Sequence, residues 1–421
     1  MTDSTHTKRY FQEVAAILVR GLRLTILVVP AVLMVVVIRA GRPWILIRVG
    51  PLFSSRLGHF ATNTELYVCE LDAGINVPAR QFVDLLYFDG RVANAQLALM
   101  WRRCLHVWPA WLLSPTLKLN RLLPGASAHE IPGSMYGDRD PFDLLEQLPA
   151  HLSFTADEER RGRAELKEVG IPNDAEFICL NVRDSSYLKS ISPDGNRGYY
   201  DYHDYRDSDA QDCALAAEAL ADLGYYVIRM GAVVQKPLTS NHPRVIDYAM
   251  NGTRSEFMDV YLGAKCMFCL STSAGFDAIP TIFRRPVAYV NVVPVAFLCS
   301  SRKRSISIFK HHRLAAERHV LSLGDIVRGG LAFCLEASCF KTHGVELVDN
   351  TPEEIRDVAI EMAEQLRGTW SGEVDDERLQ ERFREVYETE LRNVSPAWLP
   401  SGSLRSRYSA RFLREHPEWL Q

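Results

Sequence analysis

The chain has 421 residues, of which 47% are hydrophobic and 24% are charged, and its formal net charge is -4. This composition is that of an ordinary globular protein and excludes a disordered or many-times membrane-spanning chain. The near balance of 48 basic and 52 acidic residues argues against a nucleic-acid-binding protein. Nine cysteines without a repeating spacing argue against a disulfide framework and indicate a reducing compartment.

An uncharged apolar run extends from Leu24 to Ile38 near the amino terminus. A perpendicular crossing of a hydrocarbon core ~30 Å thick needs ~20 residues, so the run is marginal for a span. No small-residue cleavage site follows it, which argues against a removed signal peptide. We predict a membrane-anchor segment over residues 1–43, spanning or interfacial, rather than a buried core helix. The flanking arginines and the cysteine usage favour a cytoplasmic body at the inner (cytoplasmic) membrane.

Apolar runs alternate with helix-compatible segments over residues 44–170, which predicts a first α/β unit. Strands are expected at Trp44 to Val49 and at Phe82 to Phe88, with helices after each. His59 follows the first strand, where a histidine could take a proton from an acceptor hydroxyl. It could equally be a polar residue in the first turn of a helix.

A second α/β unit is predicted over residues 171–370, followed by a helical tail over 371–421. Short turns separate its apolar runs, and this pattern is typical of a doubly wound parallel sheet. The fold class is therefore α/β, with two Rossmann-like doubly wound units facing each other across a cleft. The predicted strands of this unit are Phe177 to Val182, Tyr225 to Arg229, Val245 to Tyr248, Lys265 to Leu270 and Pro286 to Val290.

The stretch from Lys265 to Asn291 reads as strand, tight turn, short helix and strand. Its turn carries Ser271, Thr272, Ser273 and Gly275 where the carboxyl end of a strand meets the amino end of a helix. Backbone N–H groups at such an end lack helical partners and attract phosphate. The alternative is that Thr272 or Ser273 caps the helix.

Other polar residues fall at predicted strand ends of the same unit and could complete a diphosphate pocket. Arginine suits this role because it binds phosphate through two donors and keeps its charge. The alternative for Arg183 is an ion pair with its neighbour Asp184 or with Asp247. The candidates are Arg183, Asp184, Arg229, Gly231 and Asp247, with Lys310 in support.

Two D-x-D triplets, Asp138 to Asp140 and Asp207 to Asp209, have the form that some nucleotide-sugar enzymes use to hold Mg²⁺ or Mn²⁺. Neither directly ends an apolar strand, and paired aspartates are common turn formers, so we expect no bound metal. A tyrosine-rich loop, residues 199–205, could stack on a sugar or a base, or could simply pack over a domain edge. The chain has no G-x-S-x-G, no Walker A loop and no G-x-G-x-x-G after a strand, which argues against a serine hydrolase, a P-loop ATPase and a dinucleotide oxidoreductase.

Several stretches together resemble a family of bacterial glycosyltransferases associated with surface-polysaccharide gene clusters. The resemblance spans about residues 44–370, and that family is similar to two-domain GT-B glycosyltransferases and distantly to fucosyltransferases. The stretches are RLGHFATNTELYVCE, ICLNVRDSSYL, GYYVIRMG, VIDYA, SEFMDVYLGAKCMFCLSTSAGFDAIPTIF and LVDNTPEEI.

Fucosyltransferases carry a His-x-Arg motif at a strand end, and its arginine holds the donor diphosphate. Asn181-Val182-Arg183 keeps the arginine and has asparagine in place of the histidine. The resemblance thus implies diphosphate binding by Arg183 and gives no counterpart for the histidine. It also implies that no metal or other cofactor is required, the nucleotide-sugar donor being a substrate.

The sequence therefore predicts a membrane-anchored, metal-independent glycosyltransferase. It would move a sugar from a nucleotide-sugar donor to a hydroxyl of a lipid-linked or surface glycan acceptor. The second unit would bind the donor and the first unit the acceptor, with Arg183 and His59 as the catalytic residues. The alternative is a non-catalytic, membrane-tethered glycan-binding or scaffold protein with the same fold, and a third reading is a metal-dependent sugar-phosphate transferase using Asp207 and Asp209.

Overall fold

The structure is a computed structural model that describes residues 28–132, 137, 139–191, 197–396 and 402–421, with only the backbone described for 197–200. Most of the predicted anchor segment, residues 1–27, therefore lies outside the described residues. Its remainder forms a helix over residues 28–40, named α1 here. Within the described ranges, no helix combines the length and the apolar character that a membrane crossing requires.

The described chain alternates strands and helices over most of its length. The strands are β1 Leu46–Leu52, β2 Phe82–Phe88, β3 Phe177–Asn181, β4 Tyr226–Met230, β5 Val245–Ile246, β6 Cys269–Ser271, β7 Val287–Val292, β8 Ser305–Phe309, β9 His311–Leu314, β10 Val345–Val348 and β11 Arg407–Tyr408. The helices after α1 are α2 Leu57–Asp72, α3 Ala95–Cys104, α4 Ala110–Asn120, α5 Leu144–Gln147, α6 Ala156–Val169, α7 Ser186–Ser190, α8 Ala214–Asp222, α9 Glu256–Lys265, α10 Ala278–Ile282, α11 Leu323–Arg328, α12 Ala337–Thr342, α13 Pro352–Arg367, α14 Asp376–Val394 and α15 Ala410–Glu415.

The amino-terminal half is built on β1 and β2, which pair in parallel from Leu46 opposite Phe82 to Leu52 opposite Phe88. Single parallel bridges extend this pair on both sides, at Glu130 beside β1 and at Val107 beside β2. Helix α4 packs on both strands. Both strands end at the same edge, and the turn after β1 leads directly into α2.

The carboxyl-terminal half contains a seven-stranded parallel sheet in the order β11-β8-β7-β6-β3-β4-β5. Counted from β3, the six strands β5-β4-β3-β6-β7-β8 follow the order 3-2-1-4-5-6 of the Rossmann fold. The prediction of an α/β fold with a large parallel sheet is thus confirmed. An antiparallel pair, β9 and β10, lies beside it.

The large sheet forms because its strands are continuous apolar runs that are buried on both faces. All residues of β3 and of β7 are buried. Helix α13 begins at a capping box: the Thr351 hydroxyl accepts the Glu354 backbone N–H, and the Glu354 carboxylate accepts the Thr351 backbone N–H. The predicted strand from Lys265 begins too early, because Lys265 is the last residue of α9 and β6 starts at Cys269.

The tail after residue 370 packs against the large sheet. The long helix of the predicted helical tail is Asp376–Val394. The tail also supplies β11, which pairs with β8 and so adds an edge strand that the sequence analysis did not predict. The Gln380 side chain exchanges hydrogen bonds with the Tyr408 backbone at 2.6 and 3.1 Å and joins α14 to β11.

The two halves contact each other mainly through α2 against α10 and α3 against α9. Gly58 in α2 and Gly275 before α10 allow the closest approach, because a Cβ on Gly58 would lie 3.2 Å from the Gly275 Cα. The buried Glu65 carboxylate of α2 also pairs with the Arg284 guanidinium at 2.6 Å. This contact brings the strand ends of the two sheets to a common cleft.

The cysteines include both free thiols and a disulfide. Cys266 and Cys269 are buried free thiols. Cys334 and Cys339 are joined by a disulfide, a single short-range link that the sequence analysis did not predict.

Candidate functional site

The site begins where β3 and β6 lie side by side in the centre of the large sheet. The chain leaves the two strands in different directions here, and open α/β sheets bind ligands at such a point. The two following loops are joined, because the Thr272 hydroxyl accepts the Arg183 backbone N–H at 2.8 Å. The Thr272 N–H in turn donates to the Asn181 carbonyl at 3.0 Å. Arg183 is thereby fixed at the mouth of the sheet.

Three basic side chains, those of Arg183, His203 and Arg206, gather at this point. His203 and Arg206 lie on a 3-10 helix, Arg197–Arg206, whose three-residue repeat puts them on the same side. The Arg206 guanidinium donates to the Ser273 carbonyl at 2.6 Å. Arg183 has Asp207 as its ion-pair partner, with 3.3 Å between Nε and Oδ1. We call Arg183, His203 and Arg206 the basic cluster.

The basic cluster holds buried nitrogen atoms that make no hydrogen bond within the described chain. They are Nε and Nη2 of Arg183, Nε of Arg206 and Nδ1 of His203. The Arg183–Asp207 contact is an ion pair without hydrogen-bond alignment, since neither Arg183 Nε nor Asp207 Oδ1 is satisfied. Buried polar atoms without partners are rare, and each one requires an explanation.

The electrostatics of the basic cluster favour an anion. Burial lowers the pKa of Arg183, and the positive charge of Arg206 lowers it further. Burial also lowers the pKa of His203 to about 4, with Arg183 and Arg206 adding to the shift. These groups therefore destabilise one another's charged forms, and a bound phosphate would relieve that repulsion.

The turn after β6 divides into an inner and an outer part. Ser271 and Thr272 are buried beneath the cavity and serve the loop itself, because the Ser271 hydroxyl donates to the Asp277 carboxylate at 2.8 Å. The Asp277 carboxylate also accepts the Ala274 N–H at 2.9 Å. One of the backbone N–H groups expected to bind a phosphate therefore already has a partner within the turn. Ser273, in the left-handed region at φ 58°, and Gly275 line the cavity.

A cavity of about 640 Å³ runs from the basic cluster to the amino-terminal half. Its opposite wall includes Arg56, Gly58 and His59 at the beginning of α2, and Arg91 after β2. His59 and Arg183 thus line the same cavity. The cavity is large enough for two small substrates, one against each half.

The remaining predicted residues separate into two groups. Asp184 and Gly231 line the cavity, and the Asp184 carboxylate accepts the N–H groups of Ser186 at 2.8 Å and Gln235 at 3.0 Å. Arg229 and Asp247 do not line it. They form an ion pair at 3.2 Å in which Arg229 is buried and Asp247 half-buried, and Asp247 also accepts the Leu238 N–H.

Lys310 also lies away from the cavity lining. Its ammonium group is buried and contacts the Asp349 carboxylate at 2.7 Å and the Asp207 carbonyl at 2.6 Å. Lys310 therefore supports the segment that carries Asp207, behind the basic cluster.

The aspartates of the D-x-D triplets have protein partners where they are described. Asp207 pairs with Arg183, Asp209 pairs with Lys236 at 3.0 Å, and Asp140 accepts the N–H groups of Leu144 and Leu145. Asp138 lies outside the described residues. Among the described residues, two groups of acidic, cysteine and histidine side chains lie close together: Glu65, Cys69 and His151, and Cys334, Cys339 and His343, whose two cysteines are joined in the disulfide.

The tyrosine-rich loop contributes one aromatic wall. Tyr205 lines the cavity and packs against Phe340, with 5.4 Å between ring centroids. Tyr202 is exposed and contacts the His203 ring. The side chains of Tyr199 and Tyr200 lie outside the described part of the chain.

Sequence reasoning missed Arg206, the second arginine of the basic cluster. It comes three residues after His203, and this spacing could have identified it had the loop been read as a 3-10 helix. Arg91, Arg139 and Arg302, which also line the cavity, were missed because no motif surrounds them.

Comparison with known proteins gives distant structural neighbours only. No protein-family model matches the sequence, and a search of curated proteins finds no match. Among solved structures, ADP-heptose LPS heptosyltransferase II of E. coli is 13% identical, with 76% of this chain and 100% of that chain covered and a TM-score of 0.42. The glycosyl transferase family 9 protein from Veillonella parvula DSM 2008 is 11% identical, with 76% and 97% covered and a TM-score of 0.40. E. coli heptosyltransferase WaaC with ADP-2-deoxy-2-fluoro heptose is 13% identical, with 70% and 98% covered and a TM-score of 0.28. Similarity at these scores establishes neither the family nor the activity of this chain.

Proposed function

We propose that the protein is a glycosyltransferase that moves a sugar from a nucleotide-sugar donor to a hydroxyl of a lipid-linked or surface glycan. The donor diphosphate would bind the basic cluster and the outer part of the turn after β6, Ser273 to Gly275. The acceptor would bind the opposite wall, beside His59. Both walls line one cavity, so the two substrates would meet inside it.

The observation that carries the proposal is the set of unpartnered nitrogen atoms in the basic cluster. Guanidinium groups of Arg183 and Arg206 beside a neutral imidazole offer donors to several oxygens of one polyanion. Their place at the reversal of strand order is where Rossmann-like sheets bind nucleotides. A diphosphate therefore explains both the location and the unsatisfied donors.

The proposed reaction transfers the sugar in one displacement. The acceptor oxygen forms a bond to the anomeric carbon, the bond from that carbon to the diphosphate oxygen breaks, and the acceptor proton passes to His59. The basic cluster stabilises the charge that develops on the departing diphosphate. Because arginines supply this positive charge, we expect transfer to continue in EDTA.

We also propose that the chain works at the inner (cytoplasmic) membrane with its body in the cytoplasm. Support comes from the uncharged run Leu24 to Ile38 and the arginines on either side of it. A lipid-linked acceptor would then lie at the same surface as the enzyme. Donor binding does not depend on this location.

The experiment is a thermal-shift screen of the detergent-solubilised full chain with UDP, GDP, CMP, TDP and their sugars, all in EDTA. A ligand that binds only the folded state raises the melting temperature. We expect one nucleotide diphosphate to stabilise the protein and its monophosphate to do so less. If no nucleotide stabilises it at millimolar concentration, the proposal is wrong.

The rival function is a glycan-binding or scaffold protein without turnover. It is separated by Arg183→Ala, which we expect to abolish transfer and leave the melting temperature of the free protein nearly unchanged. An Arg183→Ala protein that still transfers sugar would refute the assignment of the donor site.

A further inference from the structure

Helix α1 has apolar side chains on its outer face as well as on its inner face. Ala31, Val35 and Ile38 are buried, with at most 6% exposure, and pack the helix on the protein. The opposite side carries Leu33 at 60% and Val37 at 56% exposure, together with Val29, Val32 and Val36. A solvent-facing helix surface normally carries polar residues, so this apolar face indicates contact with a second apolar surface or a lipid bilayer.

A second exposed apolar row adjoins the end of α1. On α4 Trp111 is 54% exposed, and in the turn after α4 Leu122 is 79% exposed. The Arg39 guanidinium at the end of α1 donates to the Asn120 side chain at 2.9 Å and to the Pro124 carbonyl at 3.0 Å. The two rows therefore meet. We call the outer face of α1 with Trp111 and Leu122 the apolar surface.

The edge of the apolar surface carries basic and tryptophan side chains. Residues 28–64 and 90–129 contain nine arginines and lysines and no aspartate or glutamate, and three of the nine, Arg48, Arg103 and Arg121, pair with Asp84, Glu158 and Glu130. Arg42 and Lys118 are exposed at its edge, and Trp44 and Trp108 are exposed beside them. Aliphatic side chains bordered by tryptophan and basic residues are typical of surfaces that bind anionic lipid bilayers.

We infer that the apolar surface is a membrane-docking face that rests in one leaflet of a bilayer containing anionic lipid. Because the inner side of α1 packs on the protein, lipid can meet only its outer side, so α1 lies along the membrane. Trp111 and Leu122 provide a second contact, remote in sequence from the predicted anchor. The inference rests on the proposed function only for the identity of the lipid-linked acceptor.

The position of the apolar surface suits delivery of such an acceptor. The Trp108 N–H donates to the Leu86 carbonyl at 2.7 Å, close to the end of β2, and Arg91 after β2 lines the cavity. One end of the surface therefore lies near the edge where the cavity opens. The head group of a membrane lipid could enter the cavity there while its acyl chains stay in the bilayer.

The test is co-sedimentation of the full chain, diluted from detergent, with phosphatidylcholine vesicles with and without phosphatidylglycerol. We expect binding to increase with phosphatidylglycerol and to decrease with salt. In the variant Trp111→Ala/Leu122→Glu, binding should fall about tenfold or more, because two buried apolar contacts are lost. Val374→Glu, at a fully exposed valine in another part of the fold, is the matched control and should bind like wild type.

Nucleotide-induced thermal stabilisation is measured on the same variants, since their substitutions lie away from the cavity lining. Loss of vesicle binding with unchanged nucleotide stabilisation is the expected result. If wild type binds vesicles but responds to no nucleotide, the proposed function fails and the docking face stands. Equal vesicle binding by the Trp111→Ala/Leu122→Glu variant overturns the inference. A lipid-free dimer of wild type that this variant abolishes would also overturn it, because a second copy would then cover the surface.

Discussion

Replacing Arg183 by methionine tests the basic cluster quantitatively. The change removes two buried donors, Nε and Nη2, that make no hydrogen bond within the described chain. A hydrogen bond to a charged group contributes about 1.5–3 kcal/mol, so losing two from a bound diphosphate costs about 3 kcal/mol or more. Nucleotide affinity should therefore fall about 100-fold. The free protein loses an ion pair with Asp207 that is not aligned for a hydrogen bond, so we expect its own stability to change less than its nucleotide affinity.

Thermal shift converts these values into a measurable difference. Ligand at about 100 times its dissociation constant stabilises the wild type by about 2.7 kcal/mol, and after a 100-fold loss of affinity by only about 0.4 kcal/mol. At about 2 °C per kcal/mol, the shift should drop from about 5 °C to about 1 °C.

The matched control is Arg313→Met. Arg313 also forms an ion pair, with Glu346 at 2.7 Å, but it does not line the cavity. Its variant should keep the full nucleotide shift. Equal shifts in the Arg183→Met protein and the wild type would refute diphosphate binding by the basic cluster.

Three further predictions concern stability. Gly162→Ala should destabilise the protein by about 2 kcal/mol in urea unfolding, because the new Cβ would overlap the Tyr261 ring, and Gly162→Ala/Tyr261→Leu should recover part of the loss. Arg284→Met should cost about 2 kcal/mol, since the fully buried Glu65 loses its guanidinium partner and keeps only the His151 imidazole at 3.0 Å; Arg284→Met/Glu65→Gln should be more stable than the single variant, and the opposite order would contradict this. Burial lowers the pKa of His312 from 6.5 to about 4. The folded state therefore binds fewer protons than the unfolded state, and stability falls as pH decreases through that window, by at most about 3 kcal/mol. His312→Gln should flatten this part of the urea-midpoint profile, and an unchanged slope would show that His312 is not responsible.

Much of the large sheet could be predicted because buried parallel strands are continuous apolar runs. The runs at Phe177 and Tyr225 correspond to β3 and β4 within one residue at each end, and outside this sheet the run at Phe82 corresponds to β2. β8 was missed although all five of its residues are buried, and β11 was missed as well. β11 has two residues, and only its contact with β8 makes it a strand.

The parts of the candidate site whose position follows from the strand order could be predicted from the sequence. Arg183 and the turn after β6 could be found because parallel strands end at one edge of the sheet. Whether a strand-end side chain faces the cavity or an internal partner depends on packing that the sequence does not reveal. Arg229 turns to Asp247 and Lys310 to Asp349, so neither lines the cavity, whereas Arg206 reaches it from a loop.

The central claim is sugar transfer from a donor whose diphosphate is held by Arg183. The most direct measurement is the release of nucleoside diphosphate together with sugar incorporation into a lipid acceptor extract, with EDTA present, for wild type and Arg183→Ala. We predict stoichiometric release and incorporation by the wild type and neither by the variant. Nucleotide binding without turnover by the wild type, or equal turnover by both proteins, would contradict the claim.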